Sequence, residues 1–252
     1  MNEGRREGTK LVFDSSKIDS RALFRLVLAS YRAIGLPETF YLNGVGVTAS
    51  KLETIIAEKR SWPSGVVSNG VNFLSGILPA RRINFLDLKD SDFLVEMPTL
   101  SLSKRLTAGT GFIHGWVYDI EYDFWQNARD PLEYERLGRS AANLPKRSNG
   151  LPAPLNQLEI DTSLNPGRTE LKVGYIEAVG RLMWIADRFW SIVGTEKISS
   201  CALLRQQGFQ VSDSDGIVQV SAEKRFFDVS SGERQQTLRR ILFGSNSKQN
   251  PV

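Results

Sequence analysis

The chain has one cysteine, Cys201, and one histidine, His114, among its 252 residues. A lone cysteine cannot form a disulfide within the chain, and it cannot supply the set of thiolates that a structural zinc site uses. A lone histidine excludes sites that need two imidazole ligands and leaves one candidate imidazole base. These two shortages exclude a large part of metal and acid–base chemistry, and we expect no cofactor and no metal.

Long apolar runs are also missing. No stretch approaches the roughly 18 apolar residues of a membrane-spanning helix, and the opening MNEGRREGTK is too polar for a secretory signal peptide. We therefore expect a cytoplasmic protein with no membrane partner. Apolar residues make up 41% of the chain and charged residues 24%, which is typical of a folded globular domain.

The one histidine lies in an apolar, strand-like stretch between Ile113 and Gly115. A general base requires a nucleophile and an orienting carboxylate beside it, and no motif in the sequence places either next to His114. We interpret His114 as a structural residue.

Helix and strand signals alternate without the regular order of a parallel α/β fold. Asp19 or Ser20 is predicted to begin a helix that ends at Gly35, and a capping box from Ser50 to Glu53 predicts a second one. Short extended runs follow between residues 66 and 106. The fold class predicted from this order is α+β, with a mainly antiparallel sheet.

The composition predicts one domain with polar ends. Residues 1–10 and 245–252 are expected to be flexible, and residues 11–244 to form the domain. Several prolines, asparagines and glycines fall within residues 143–168. This segment is either a long loop or a hinge, in which case the domain is bilobed. A final helix is predicted from Ser230 to Gly244.

An acidic segment follows the middle of the chain. Residues 112–124 are rich in aromatic and β-branched residues, which predicts a strand. Alternate side chains of a strand share a face, so this pattern places three acids on one side of the sheet. A capping box with proline at its second position then predicts a helix over residues 130–142. The acids in question are Asp119, Glu121 and Asp123 on the strand and Glu133 and Glu135 on the helix.

Trp125 stands beside these acids. Tryptophan serves both cores and binding sites because it combines a large apolar ring with one hydrogen-bond donor. Trp184 and Trp190 lie in an apolar segment and are predicted to be core, whereas Trp125 is the better candidate for an exposed anchor.

Two other functions are left open by the residues. Asp161 followed by Glu170 and Lys172 matches a loose form of the restriction-endonuclease-like site, in which two carboxylates hold Mg²⁺ and a lysine stabilises charge on the phosphate. A metal-dependent nuclease is therefore one alternative. The net charge of +4 leaves a basic nucleic-acid-binding module as the other. Its candidate contacts are the arginines of the final helix, Arg234, Arg239 and Arg240.

Several segments resemble the immunity protein 52 family of bacterial polymorphic-toxin systems. They are residues 165–168 (NPGR), 174–180 (GYIEAVG), 183–190 (MWIADRFW) and 238–244 (LRRILFG). Looser similarity covers Asn43-Gly44 and Trp62-Pro63. The resemblance extends over most of the chain.

This resemblance implies a non-enzymatic α+β protein that binds and neutralises a cognate toxin, often a restriction-endonuclease-like nuclease delivered by type VI secretion. The partner is then the toxin itself, with a homodimer possible and no direct contact with nucleic acid. A basic chain fits poorly with mimicry of nucleic acid. We therefore expect either that the local acids pair with basic residues of the toxin, or that this chain binds the toxin away from its active site. The expected partner-binding residues are Asp119, Glu121, Asp123, Trp125, Glu133 and Glu135.

Overall fold

The computed structural model describes residues 6–91, 99–222 and 227–244. Ten strands form one antiparallel sheet in the order β13-β14-β12-β7-β1-β6-β5-β4-β2-β3, and two small two-stranded sheets lie outside it. The α+β class and the single domain are thus confirmed. The strands are β1 (Glu7–Asp14), β2 (Phe40–Leu42), β3 (Val45–Val47), β4 (Val66–Ser68), β5 (Val71–Leu78), β6 (Ile83–Asp90), β7 (Phe112–Asp119), β8 (Lys146–Ser148), β9 (Leu158–Ile160), β10 (Glu170–Leu171), β11 (Ile176–Glu177), β12 (Leu182–Ala186), β13 (Gln210–Ser214) and β14 (Ile217–Ser221).

Helices cover both faces of the sheet. Among the described residues, none of them is long and apolar enough to cross a membrane. They are α1 (Ser20–Ile34), α2 (Ala49–Lys59), α3 (Thr99–Leu106), α4 (Ile120–Asn127), α5 (Pro131–Arg136), α6 (Asp187–Val193), α7 (Lys197–Gln206) and α8 (Gly232–Phe243), with 3₁₀ turns at Pro79–Arg81 and Val229–Ser231.

Two hydrophobic cores lie on opposite faces of the sheet. Leu11 and Val117 face α1, α2 and α3, whereas their strand neighbours Val12 and Trp116 face α6, α7 and α8. This follows from the alternation of side chains along a strand. Strands β7 and β12 therefore carry apolar residues at nearly every position, and β1 does so from Leu11 to Phe13, because both faces of the sheet are covered there.

The first helix forms as predicted. The Asp19 side chain accepts a hydrogen bond from the backbone N–H of Ala22, and Gly35 ends the helix in the left-handed conformation (φ 71°). The second helix begins two residues earlier than predicted, because Thr48 and not Ser50 caps it. Glu53 instead accepts hydrogen bonds from two arginines of α1, so it joins the two helices.

The predicted strand over residues 112–124 is wrong in its second half. Strand β7 ends at Asp119, whose Oδ1 accepts a hydrogen bond from the N–H of Tyr122 (2.7 Å) and thereby caps α4. Acids in a first helical turn interact favourably with the helix dipole, so Glu121 and Asp123 suit a helix start as well as an alternating strand. The three acids therefore do not line one face of a sheet.

Three further boundaries differ from the predictions. Asp130 caps α5 as expected, but this helix ends at Arg136 instead of residue 142, and Gly138 follows in the left-handed conformation. The last helix begins at Gly232, because the capping box lies earlier, in the turn between Asp228 and Ser231. At the start of the chain, strand β1 already includes residues 7–10, which were expected to be flexible. The predicted flexibility of residues 245–252 lies outside the described residues.

The proline-rich segment 143–168 contains the β8–β9 hairpin. The hairpin packs beside α4 and α5 and forms a third, small hydrophobic cluster with them around Tyr134 and Ile160. The hinge predicted for this segment stays a prediction.

Candidate functional site

A cleft of about 1030 Å³ opens between α4, α5 and the segment that carries the β8–β9 hairpin. Three of the six predicted partner-binding residues line it, namely Asp119, Glu121 and Trp125. Its lining combines aromatic and aliphatic side chains with charged ones. The lining includes Asp119, Glu121, Tyr122, Phe124, Trp125, Tyr134, Arg136, Leu137, Arg139 and Asp161.

Local hydrogen bonds hold the walls of the cleft together. The N–H of Ile160 donates to the carbonyl of Arg129 (2.8 Å), and the N–H of Asp161 donates to the carbonyl of Pro145 (2.8 Å). These bonds join the hairpin to the link between α4 and α5 and to its own first strand. The cleft is therefore fixed by backbone contacts as well as by side-chain packing.

The C-terminal end of α4 is bound by the loop that contains Gly167 and Thr169. The side chain of Gln126 accepts a hydrogen bond from the N–H of Gly167 (2.9 Å), and Asn127 Oδ1 accepts one from the N–H of Thr169 (2.7 Å). A Cβ atom at residue 167 would lie 2.7 Å from Gln126 Cγ and 3.0 Å from the Tyr122 ring. The glycine in the NPGR segment therefore allows this loop to approach α4 closely.

Trp125 is the central side chain of the cleft. Its ring is partly buried and packs against Phe124 and Tyr134, each with a centroid separation of 4.9 Å. The guanidinium of Arg139 lies 4.0 Å from the Trp125 centroid and donates a hydrogen bond to Glu121 Oε1 (2.9 Å). Trp125 is thus held in place by its neighbours and does not project freely into solvent, as the exposed anchor predicted from the sequence would.

The predicted acids occupy different environments. Asp119 and Glu121 line the cleft with Trp125, Asp119 being 5% exposed whereas the Glu121 side chain is 75% exposed. The Oδ2 atom of Asp119 is buried and has no hydrogen-bond partner in the part of the chain that the structure describes. Glu133 and Glu135 belong to α5 but do not line the cleft.

Asp123 is influenced by charged side chains of the central strands instead. Burial raises its pKa to about 6, and the carboxylates of Asp87 and Asp119 act in the same direction, while Lys10 and Lys89 oppose them. Asp87 accepts a hydrogen bond from the Tyr118 hydroxyl (2.5 Å) and lies 3.5 Å from the Lys10 ammonium. Asp123 is therefore part of a partly buried charge cluster.

The residues of the nuclease alternative are not joined in one group. Glu170 accepts hydrogen bonds from Lys172 and from Arg168, each at 2.8 Å. Asp161 lines the cleft and forms no hydrogen bond or ion pair with Glu170 or Lys172 among the described residues. Among all residues that the structure describes, no group of three or more histidine, cysteine, aspartate or glutamate side chains is arranged to hold a metal ion.

The arginines of the last helix differ in accessibility. Arg239 is buried and donates a hydrogen bond to Glu177 Oε1 (2.8 Å), so it does not lie on the surface as a phosphate contact would require. Arg234 donates to the carbonyl of Ala222 and covers the Phe209 ring. Arg240 is exposed.

Sequence reasoning missed three important members of the cleft: Tyr134, Leu137 and Arg139. A visible signal was the density of aromatic residues, since Tyr122, Phe124, Trp125 and Tyr134 fall within 13 consecutive positions. Leu137 lines the cleft and is 52% exposed, but several other leucines are as exposed, so exposure alone does not single it out. Nothing in the sequence connected Arg139 with Trp125.

The fold is similar to that of a solved structure, the Pseudomonas aeruginosa T6SS protein PA0821. The two chains share 12% sequence identity, the match covers 95% of this chain and 73% of that one, and the TM-score is 0.52. At this identity the similarity concerns the fold. No protein-family model matches the chain, and no curated protein matches it.

Proposed function

We propose that this chain is an immunity protein of the type VI secretion kind, which binds a cognate toxin through the cleft around Trp125 and so neutralises it. The observation that carries the proposal is the cleft itself: a preformed aromatic surface with charged groups beside it. Interfaces commonly concentrate their binding energy on such tryptophan and arginine clusters, surrounded by side chains that exclude water. The toxin is proposed to be a restriction-endonuclease-like nuclease.

Two independent observations support this function. The sequence segments that resemble the immunity protein 52 family are spread over most of the chain, and one of them, NPGR, forms the loop that anchors α4 beside the cleft. The fold is similar to that of a protein of a type VI secretion system. We also propose that the chain acts by association alone, without catalysis, and that it does so in the cytoplasm.

The first test is capture of the partner. Tagged protein is used to isolate partners from its native bacterial lysate, and mass spectrometry identifies them. The gene of any stoichiometric partner is then expressed with and without this chain in a sensitive host. We expect the partner alone to stop growth and the pair to restore it. A partner that is harmless on its own, or whose toxicity this chain leaves unchanged, contradicts the proposal.

Replacing Trp125 with alanine is expected to weaken toxin binding by about 100-fold, since truncating a central tryptophan removes about 2 to 4 kcal/mol from many interfaces. Affinity is measured by calorimetry with the captured toxin. Trp125 also packs against Phe124 and Tyr134, so the variant must be shown to keep its melting temperature.

A second variant separates binding from folding. Leu137 lines the cleft but is 52% exposed, so Leu137→Ser should leave the fold intact and still weaken binding by about tenfold. The matched control is Ile198→Ala on α7, a site that is 79% exposed and does not line the cleft. Equal affinities for Leu137→Ser and Ile198→Ala would place the toxin on another surface.

A further inference from the structure

One of the guanidinium groups that line the cleft, that of Arg139, already occupies the face of Trp125. This group lies over the face of Trp125 and is bonded at the same time to the carboxylate of Glu121. Glu121 and Trp125 are four residues apart on α4, so they project from the same side of the helix. An aromatic face together with a carboxylate is a general recognition site for arginine, since the ring attracts the cation and the carboxylate accepts its hydrogen bonds.

The hold on Arg139 is weak. Its side chain is 49% exposed and that of Glu121 is 75% exposed, and ion pairs at such exposure contribute little net stability because water screens them. Half of the Arg139 side chain already faces solvent, so rotation about its own bonds can move the guanidinium from Trp125 into water. The position over the ring can therefore be vacated without any change in the fold.

A second carboxylate that lines the same cleft also has an acceptor atom without a donor. Asp119 is 5% exposed, and its Oδ2 atom has no hydrogen-bond partner among the described residues. Buried acceptors are nearly always paired, so such an atom is a natural point for a donor that arrives with a ligand. We call the group formed by Asp119, Glu121 and Trp125 the arginine seat.

We propose that the arginine seat binds an arginine side chain of the partner. Arg139 occupies this position in the free chain, and the partner's arginine displaces it. This inference rests on the proposed function, because the partner that carries the arginine is the toxin. A nuclease uses arginines to hold the phosphates of its substrate, and an arginine of this kind is the side chain that we expect to bind here.

The probe is a capped tripeptide, acetyl-Gly-Arg-Gly-amide, and its counterpart with citrulline, which has the same shape without the charge. Binding to the full chain is followed through the indole N–H signal of Trp125 in ¹H–¹⁵N spectra, assigned with Trp125→Phe. We expect saturable shifts with the arginine peptide and none with the citrulline peptide. Arg139→Ala should strengthen arginine-peptide binding five- to tenfold, because the internal competitor is gone.

Two charge variants test the seat itself. Asp119→Asn keeps a residue that caps helices well, so the start of α4 is preserved while the charge is removed. Asp119→Asn and Glu121→Gln should each weaken arginine-peptide binding at least fivefold. Glu58→Gln, an exposed acid on α2 outside the cleft, is the matched control and should bind like the parent chain.

Several outcomes overturn the inference. Equal binding of the citrulline peptide, unchanged or weaker binding by Arg139→Ala, or stronger shifts with acetyl-Gly-Glu-Gly-amide would each do so, the last by indicating an anionic guest. If the captured toxin loses affinity for Leu137→Ser but not for Asp119→Asn or Glu121→Gln, the seat fails while the proposed function stands. If no toxin is captured but the arginine peptide binds as expected, the proposed function fails and the seat stands.

Discussion

Arg239→Met should lower the free energy of unfolding by about 3 to 5 kcal/mol, the cost of leaving one partner of a buried ion pair without the other. The Arg239 and Glu177 side chains are 4% and 1% exposed and are joined at 2.8 Å. Arg239 also donates to the carbonyl of Arg168, so it connects α8 with the loop before the β10–β11 hairpin. Arg168 and Lys172 lie 3.9 and 4.0 Å from the Glu177 carboxylate and should keep the loss near the lower end of this range.

Urea unfolding followed by tryptophan fluorescence measures this loss. Arg240→Met is the matched control: it removes the same charge from the neighbouring, exposed position and should change the stability by less than about 0.5 kcal/mol. The double variant Arg239→Met with Glu177→Leu should recover part of the loss, since no uncompensated charge is then buried. Equal stabilities of Arg239→Met and Arg240→Met would contradict the structural role assigned to this pair.

The second large effect is expected from pH. His114 is fully buried between the rings of Trp116 and Phe189, and this burial lowers its pKa from 6.5 to about 3. Its Nε2 atom accepts a hydrogen bond from the N–H of Ile176 (3.4 Å), which requires that nitrogen to be unprotonated. Below pH 6.5 the unfolded chain therefore binds a proton at this residue that the folded chain does not bind.

The wild-type chain should consequently lose stability relative to His114→Gln as the pH falls from 6.5 towards 3. The slope is about 1.4 kcal/mol per pH unit, so the difference in unfolding free energy should change by roughly 3 kcal/mol between pH 6.5 and pH 4. The test is how the difference in unfolding free energy between the two chains changes with pH. Its absolute size also contains a pH-independent effect of the substitution on packing. Parallel stability curves for the two chains would show that His114 is not held neutral.

Asp123 provides a control of opposite sign. Its pKa is raised from 3.8 to about 6. Between these two pH values the folded chain holds a proton on Asp123, whereas the unfolded chain does not. Relative to Asp123→Asn, the wild-type chain should gain stability as the pH falls from 6 to 4. The contributions of His114 and Asp123 then oppose each other in this range, and each becomes visible in the comparison with its own variant.

The fold class was predictable because its signals are local. The first helix has its cap and its stop in the sequence, at Asp19 and Gly35, and hydrogen bonds within one turn of the chain are enough to define both ends. The change from strand to helix at Asp119 was not predictable in this way. Acids at alternate positions suit either structure. The choice was made by the end of the β7 pairing and by the hydrogen bond that the N–H of Tyr122 donates to the Asp119 carboxylate.

The candidate site was predictable only in part. Asp119, Glu121 and Trp125 were singled out from the sequence and do line one cleft, although not as the exposed face of a strand. Asp123 is directed elsewhere because helical geometry separates residues 121 and 123 by more than half a turn. Arg139 and Leu137 join the site because α5 is short and the chain turns back at Gly138, a boundary that the predicted longer helix excluded.

The sequence by itself determined the shortage of thiol and imidazole chemistry, the α+β class and the capping of α1, since each depends on composition or on contacts within a few residues. Tertiary structure alone decided that Arg139 lies on Trp125, that Arg239 is buried against Glu177, and that the Asp119 Oδ2 atom is buried with no donor among the described residues. Each of these depends on residues brought together from distant elements or turns, where packing and desolvation outweigh local preference.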